Sequence, residues 1–404
     1  MVISLIKAEK QYRRLFLAGI VNGIGDRFSS VAVLAMLLHL TGSGLAVGIT
    51  LAIRLIPSLF FGLIGGLLAD RFSRKTILVV TDLIRIVFAL SFILVHSKED
   101  IWIVYISSFI LATGEAIYGP ARKSAIPGLV NKEHLVKVNS LEQVMVGIVL
   151  VIGALLGGIV SLIFGADVAF WLNAVSFLGA AAIISTIMFP ENKNIKGAVE
   201  ESTRENLISI FKKVILKSFP VQFLFFCEIL IASMNGIDNV LISVYAVKEY
   251  HLGDMGVGLF YGSLGIGLML SFSVSNRLQK NFLVTGLVCL LLEGTFLVLL
   301  SRTYLVVLAL LMFCGAAFMS GIGNACFDTI LMKEIPEKYQ GTMFGLLATI
   351  VNTLMGLSMF ISGIALQYLT ARSLGLIGGI AYILVSIFLI ATISTKAHRK
   401  NGTI

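Results

Sequence analysis

Twelve runs of apolar residues constrain this chain more than any other feature, each near the roughly 20 residues that carry a helix across a bilayer. They fall at Leu15–Leu38, Gly44–Leu68, Thr76–Val95, Ile101–Tyr118, Val138–Phe164 and Val168–Met188. After a charged stretch come Phe219–Val247, Met255–Val274, Phe282–Leu300, Tyr304–Ile330, Gly341–Leu369 and Leu374–Ile393. In lipid every backbone group must find an internal partner, so each run reads as a helix. With 404 residues, 57% of them hydrophobic and 13% charged, the chain has more apolar surface than a soluble core can hide. The first run has no small-residue cleavage site and is expected to stay as a span and not be removed as a signal peptide.

Charge then orients the spans. Of the 31 Lys and Arg residues, 24 lie at the N-terminus, in the loops after runs 2, 4, 8 and 10, in the central stretch and in the C-terminal tail. The opposite loops hold only Lys98, Lys248, Arg302 and Arg372, and Arg27, Arg54 and Arg85 sit inside runs. Both termini and the central stretch are therefore expected in the cytoplasm. The net charge of +9 reports this topology, so nucleic acid is not expected as a partner.

The four cysteines (Cys227, Cys289, Cys314, Cys326) lie in apolar runs without ligand spacing, so neither metal nor disulfide is expected. No Gly-x-x-x-x-Gly-Lys loop, His-Glu-x-x-His or Gly-x-Ser-x-Gly occurs, and the five histidines suggest no catalytic pairing. An enzyme is not expected, nor any cofactor.

The charged stretch divides the chain into residues 1–189, a linker at 190–218 and residues 219–404, with six runs on each side. Within the linker, Glu205–Lys217 sets Leu207, Ile208, Phe211, Val214 and Ile215 against Lys212, Lys213 and Lys217. That pattern suits a helix lying on the inner leaflet, and equally a solvated linker with one helical turn. The halves echo each other. Asn22-Gly-Ile-Gly-Asp26 matches Asn235-Gly-Ile-Asp238, Val47-Gly48 matches Val257-Gly258, and Ile126-Pro127 matches Ile335-Pro336, at offsets of 213, 210 and 209 residues. The agreement points to a six-plus-six duplication, an arrangement that transporters build around a midplane cavity.

Between runs 2 and 3 stands Gly65-Gly-Leu-Leu-Ala-Asp70-Arg71-Phe-Ser73-Arg74-Lys75. This resembles the signature loop of the major facilitator superfamily, with Ser73 where a second glycine is usual. The resemblance implies twelve helices in two six-helix bundles related by a pseudo-twofold axis. It also implies a cytoplasmic gate in which Gly66 allows close helix approach, Asp70 meets a helix N-terminus, and Arg71, Arg74 and Lys75 complete a charge network. Asp82 and Arg85, one turn apart, together with Glu142 and Asp328, are expected to belong to that gate. The second-half counterpart, Asn276-Arg277-Leu278-Gln279-Lys280, has no acid.

Gly153-Ala-Leu-Leu-Gly157-Gly158 resembles the antiporter motif of drug-exporting members, with Ala154 where proline is expected. Its glycines are expected to pack helices of the two halves near an external gate. Gly25-Asp26, Arg54 with Pro57, Pro120-Ala121-Arg122 with Pro127, and Ile335-Pro336 resemble one bacterial branch. That branch contains macrolide-efflux proteins and enterobactin-type siderophore exporters.

Ionisable residues inside spans are costly and so are functional candidates. Asp26 and Glu115 are the leading proton-coupling candidates; the alternatives are a neutralised structural cluster with Arg27 or Arg54 for Asp26, and an ion pair with Arg122 or Arg85 for Glu115. Asn22, Arg54, Glu228, Asn235, Asp238 and Asn239 are candidates for a cargo cavity. Glu293 is harder to place. Run 9 is usually lipid-facing in this fold, so that acid is protonated, turned inward or misassigned to the span. Phenylalanines at helical spacing are assigned to packing and lipid contact.

These readings converge on a monomeric, proton-coupled exporter of amphipathic or lipophilic small molecules, drug- or macrolide-like, in a bacterial cytoplasmic membrane. Its partners are cargo, protons and the bilayer. A dedicated siderophore, lysophospholipid or nutrient carrier is the alternative, and a membrane-embedded sensor or enzyme on the same scaffold a more distant one.

Overall fold

The structure is a computed structural model that describes residues 8–41, 44–189, 213–215 and 218–401. The stretch Glu205–Lys217, read above as an amphipathic surface helix or linker, lies almost wholly outside the described residues. Among those residues the chain is all-α, with twelve helices long and apolar enough to span a membrane. In the first half they are α1 (Lys10–Thr41), α2 (Gly48–Arg71), α3 (Arg74–Leu94), α4 (Lys98–Leu129), α5 (Lys132–Phe164) and α6 (Ala166–Ser185). In the second they are α7 (Phe219–Glu249), α8 (Met255–Ser275), α9 (Phe282–Arg302), α10 (Val306–Glu334), α11 (Glu337–Ala365) and α12 (Ala371–Ile393). The chain is a multi-pass membrane protein.

Among the described residues two helices contain π turns. A π turn at Val149–Gly153 interrupts α5, and a second at Tyr245–Glu249 ends α7. Tight connections use positive φ where the chain must reverse, at Gly165 between α5 and α6 (φ 87°) and at Asn281 before α9 (φ 57°).

The chain forms two compact units. The first comprises residues 1–135, 149–219 and 332–353, and the second 136–148, 220–331 and 354–404. Each therefore takes most of one sequence half and a short segment of the other. In the first unit Phe28, Val33, Phe92, Leu111, Phe170 and Phe177 form a hydrophobic cluster from α1, α3, α4 and α6. The Asn173 amide on α6 donates to Ser29 Oγ on α1 at 2.8 Å, a buried polar tie that lipid could not replace. Large side chains such as Leu162 (87% exposed), Val307 and Phe360 face outward, as a hydrocarbon solvent allows.

In the second unit α9 and α12 meet backbone to backbone. A Cβ on Gly294 would lie 2.6 Å from Tyr382 Cβ and 2.8 Å from the Gly379 carbonyl oxygen, and one on Gly379 would lie 2.8 Å from the Val298 nitrogen. Without a hydrophobic effect between helices, such contact is what association rests on. Gly294→Ala is expected to lower stability by roughly 1–3 kcal/mol through overpacking. Gly258→Ala, where nothing lies within 4 Å, should be close to neutral. Melting temperatures of the two purified variants in one detergent check the contrast.

Candidate functional site

At the end of α2 that leads into the Arg71–Lys75 loop, Asp70 meets the start of α11. Its Oδ1 accepts the backbone N–H of Gly341 at 2.7 Å, and its Oδ2 that of Thr342 at 2.6 Å. The α-helical part of α11 begins at Gln340, so these are among the N–H groups that the helix itself leaves unpaired. A carboxylate there gains two charge-assisted bonds and the favourable end of the helix dipole. Pro336 sets up the approach, opening a tight turn over Glu337–Tyr339, and the Gln340 side chain donates back to the Met332 and Ile335 carbonyls.

The close approach rests on two glycine pairs, Gly62 with Gly66 on α2 and Gly341 with Gly345 on α11. A Cβ on Gly66 would lie 2.2 Å from the Gly341 carbonyl oxygen, and one on Gly345 2.4 Å from that of Gly62. The loop adds two tethers. Arg74 donates to the Glu337 carbonyl at 3.3 Å and Lys75 to the Ile187 carbonyl at 3.3 Å, whereas Arg71 is exposed.

Deeper in the first unit four charges form a second site. Asp26 of α1 lies 3.2 Å from Arg85 of α3 and 3.6 Å from Arg54 of α2. Arg85, 2% exposed, also lies 3.8 Å from the fully buried Asp82, and its guanidinium stacks over Phe177 with its carbon 4.2 Å from the ring centroid. Asn22 joins the acids to the base, donating to Asp82 at 2.7 Å and accepting from Arg85 at 3.4 Å. Arg54 donates to Ser30 at 2.8 Å. Two acids thus face two bases, and the site is neutral as a whole. A small cavity beside it is lined by Asp26, Ser29, Ser30, Arg54, Phe92 and Leu111.

This placement differs from the sequence reading in several respects. Asp82 and Arg85 belong with Asp26 and not with the Asp70 loop. Their i, i+3 register was legible, but their partners Asp26 and Asn22 on α1 were not. Arg27 points elsewhere. A Cβ on Gly153 would lie 2.9 Å from Arg27 Cβ, and one on Gly157 3.2 Å from Phe28 Cα, so these glycines pack α5 against α1 of the same half. Gly158 meets nothing within 4 Å. Glu115 is exposed on α4, next to Gly114, which packs on the Arg85 side chain. Glu142 and Asp328 are partly buried in the second unit, where the Asn139 amide donates to Thr329 Oγ1 at 3.0 Å and ties α5 to α10.

The remaining candidates lie on α7. Glu228 is partly buried, ten residues before Asp238. The Tyr382 hydroxyl reaches Asn235 Oδ1 at 2.9 Å and Asp238 Oδ2 at 3.1 Å, and the Asn239 amide donates to the Asn235 carbonyl at 2.9 Å. Glu293 is buried at 7% exposure, so α9 is a span and this acid is turned inward. Sequence reasoning missed Tyr382, Gly341 and Thr342, because tyrosine and glycine in apolar runs carry no signal of their partners.

Comparison with known proteins adds the lineage. The family model described as the Major Facilitator Superfamily matches residues 15–358. The enterobactin exporter of Citrobacter koseri is 23% identical over 361 residues, covering 85% of this chain and 82% of that one. Macrolide efflux protein A of Streptococcus pyogenes is 21% identical over 391 residues, covering 91% and 92%. The crystal structure of the human organic anion transporter MFSD10 superposes with a TM-score of 0.78 at 12% identity, covering 94% of this chain and 99% of that one.

Each Asp70 bond is a charge-assisted one with a net value of about 1.5–3 kcal/mol. Asp70→Asn removes the charge and turns an N–H₂ toward one N–H donor, so the α2–α11 seat should lose most of its population bias. Nitroxide labels at positions 73 and 338 check this by pulsed electron–electron resonance. A single narrow distance is expected in the wild type and a broadened or second distance in the variant, and an unchanged distribution would refute the role given to Asp70.

Proposed function

The chain belongs to the Major Facilitator Superfamily, and from that premise we propose that it exports amphipathic or lipophilic small molecules in exchange for protons. The cargo is drug- or macrolide-like, the membrane is the cytoplasmic membrane of a bacterium, and the working unit is a monomer. Cargo is taken up on one side and released on the other by alternating access, with no covalent step and no cofactor. The observation that carries the reading is the Asp70 seat. It joins helices from opposite halves of the sequence at one end of the bundle, as a closure able to open and re-form requires.

The bias of Lys and Arg supports a cytoplasmic position for that end, both termini and the linker. In the proposal, Asp70, Arg74 and Lys75 hold the cytoplasmic gate shut, and breaking a few hydrogen bonds opens it. The cavity beside Asp26 pairs a charge-balanced polar floor with Phe92 and Leu111, a lining suited to cargo with an apolar body and a polar handle. Export as the direction is supported by the two relatives named for efflux and siderophore release. The candidates for carrying the proton are Asp26, Glu115 and Asp238.

A dedicated carrier of an anionic siderophore is the second reading, favoured by the side chain of Arg54, which remains 24% exposed at the cavity. Purified protein in liposomes with an imposed pH gradient and an internal pH dye separates the two. Erythromycin and ethidium should each elicit proton movement if the exporter is polyspecific. A response to enterobactin alone would establish the dedicated carrier, and cargo accumulation without proton movement would refute coupling to protons.

A further inference from the structure

The two halves open on related asparagine-headed stretches, yet their acids have very different surroundings. Asp26 lies between two arginines. Asp238 has only neutral partners. The Tyr382 hydroxyl has one proton to donate between Asn235 Oδ1 and Asp238 Oδ2, and whichever way the Asn235 amide faces, neither partner brings a positive charge.

Glu293 of α9 completes the group. It is buried, and it directly precedes Gly294, the glycine on which Tyr382, the partner of Asp238, packs. The Gly294–Gly379 crossing holds it beside Tyr382, whose Cβ packs on Gly294.

Among the described residues, the groups that the other packed elements bring are uncharged. Helix α8 presents Phe260, α10 presents Phe313, and α11 presents Met355 and Ser358, while Tyr245 and Cys289 are the further titratable neighbours on α7 and α9. Arg372 is held by Glu249 at 2.7 Å and stacks on Tyr304. Among the described residues, no Lys, Arg or His forms an ion pair with Asp238 or Glu293.

We propose that Asp238 and Glu293 together hold one exchangeable proton, and that this pair is the proton-carrying site of the chain. The inference deepens the coupled-export reading and rests on it for its role in transport. Two anions with neutral partners in a low-dielectric bundle repel each other and are poorly solvated, so one proton between them relieves both costs. Protonating Asp26 instead would leave Arg54 and Arg85 facing a single anion, an excess buried cation. The proton-binding step forms one O–H bond on Asp238 or Glu293, and release returns that proton to water. A cavity lined by Asp238, Ile242, Tyr245 and Leu297 adjoins the Asp238 carboxyl.

Infrared difference spectra of the purified full-length protein in lipid, between acid and alkaline buffer, test the site without any cargo. A carboxylic-acid carbonyl band that titrates with pH is expected in the wild type. It should be lost in Asp238→Asn and in Glu293→Gln and kept in Asp26→Asn. Tyr382→Phe should retain the band with a shifted midpoint, a result that misfolding does not imitate. Absence of the band from the wild type, its persistence in both acid variants, or its loss in Asp26→Asn alone overturns the proposal.

Erythromycin transport in liposomes then tests the role. Asp238→Asn should lose pH-driven transport, and Asp238→Glu should restore the driven component. Driven transport that survives in both acid variants rejects this pair as the coupling site. Wild-type protein that moves erythromycin without protons rejects the coupled-export reading itself, a different result from any of the spectral ones.

Discussion

The first unit depends on a carboxylate seated on the start of a helix. A helix that begins at a membrane boundary exposes N–H groups that the hydrocarbon side cannot satisfy. In α11 two of them go to Asp70, and the same contact neutralises the end of α2. Such a seat is available only if two backbones touch, which is why Gly62, Gly66, Gly341 and Gly345 stand where they do. Any side chain at these positions would hold the carboxylate out of reach. The tethers from Arg74 and Lys75 to backbone carbonyls follow from that placement, since the loop is delivered to its partners once the helices are in register.

A second constraint acts at depth. Charged side chains inside a span survive when their sum is small and each has a partner. The Asp26–Arg85–Asp82–Arg54 group meets this requirement with four side chains from three helices, with Asn22 bridging and Phe177 covering the guanidinium face. Its bonds are directional, so they fix the rotation of α1 and α3 about their own axes. Apolar packing alone, being non-directional, would leave that rotation loosely specified.

How much of this was legible follows from the same physics. The spans could be read because a bilayer demands about 20 apolar residues regardless of neighbours, and all twelve stand where the runs lie. Partners separated by 271 residues, such as Asp70 and Gly341, are another matter, since nothing in either local sequence names the other. The facing of individual residues was equally hidden. A helix that is apolar all round carries no amphipathic stripe, so the inward turn of Glu293 on α9 had no periodic signal to betray it. Where a polar pair stood one turn apart, as with Asp82 and Arg85, the pairing itself could be read although its location could not.

The course of α5 shows how one helix can serve two packing surroundings. Its first segment belongs to the second unit, where a Cβ on Gly147 would lie 2.4 Å from the Gly265 carbonyl oxygen. Its later segment belongs to the first unit, where Gly153 and Gly157 receive α1. In a regular α-helix, at about 100° per residue, Gly147 and Gly153 would face directions roughly 120° apart. The π turn at Val149–Gly153 lies where the two segments meet, with Val149 itself packed against Gly23 of α1. A proline would have broken the phase, but at the cost of a hydrogen bond and a kink. The antiporter-like motif carries Ala154 where proline is usual, and here the π turn supplies the irregularity that a proline would otherwise introduce.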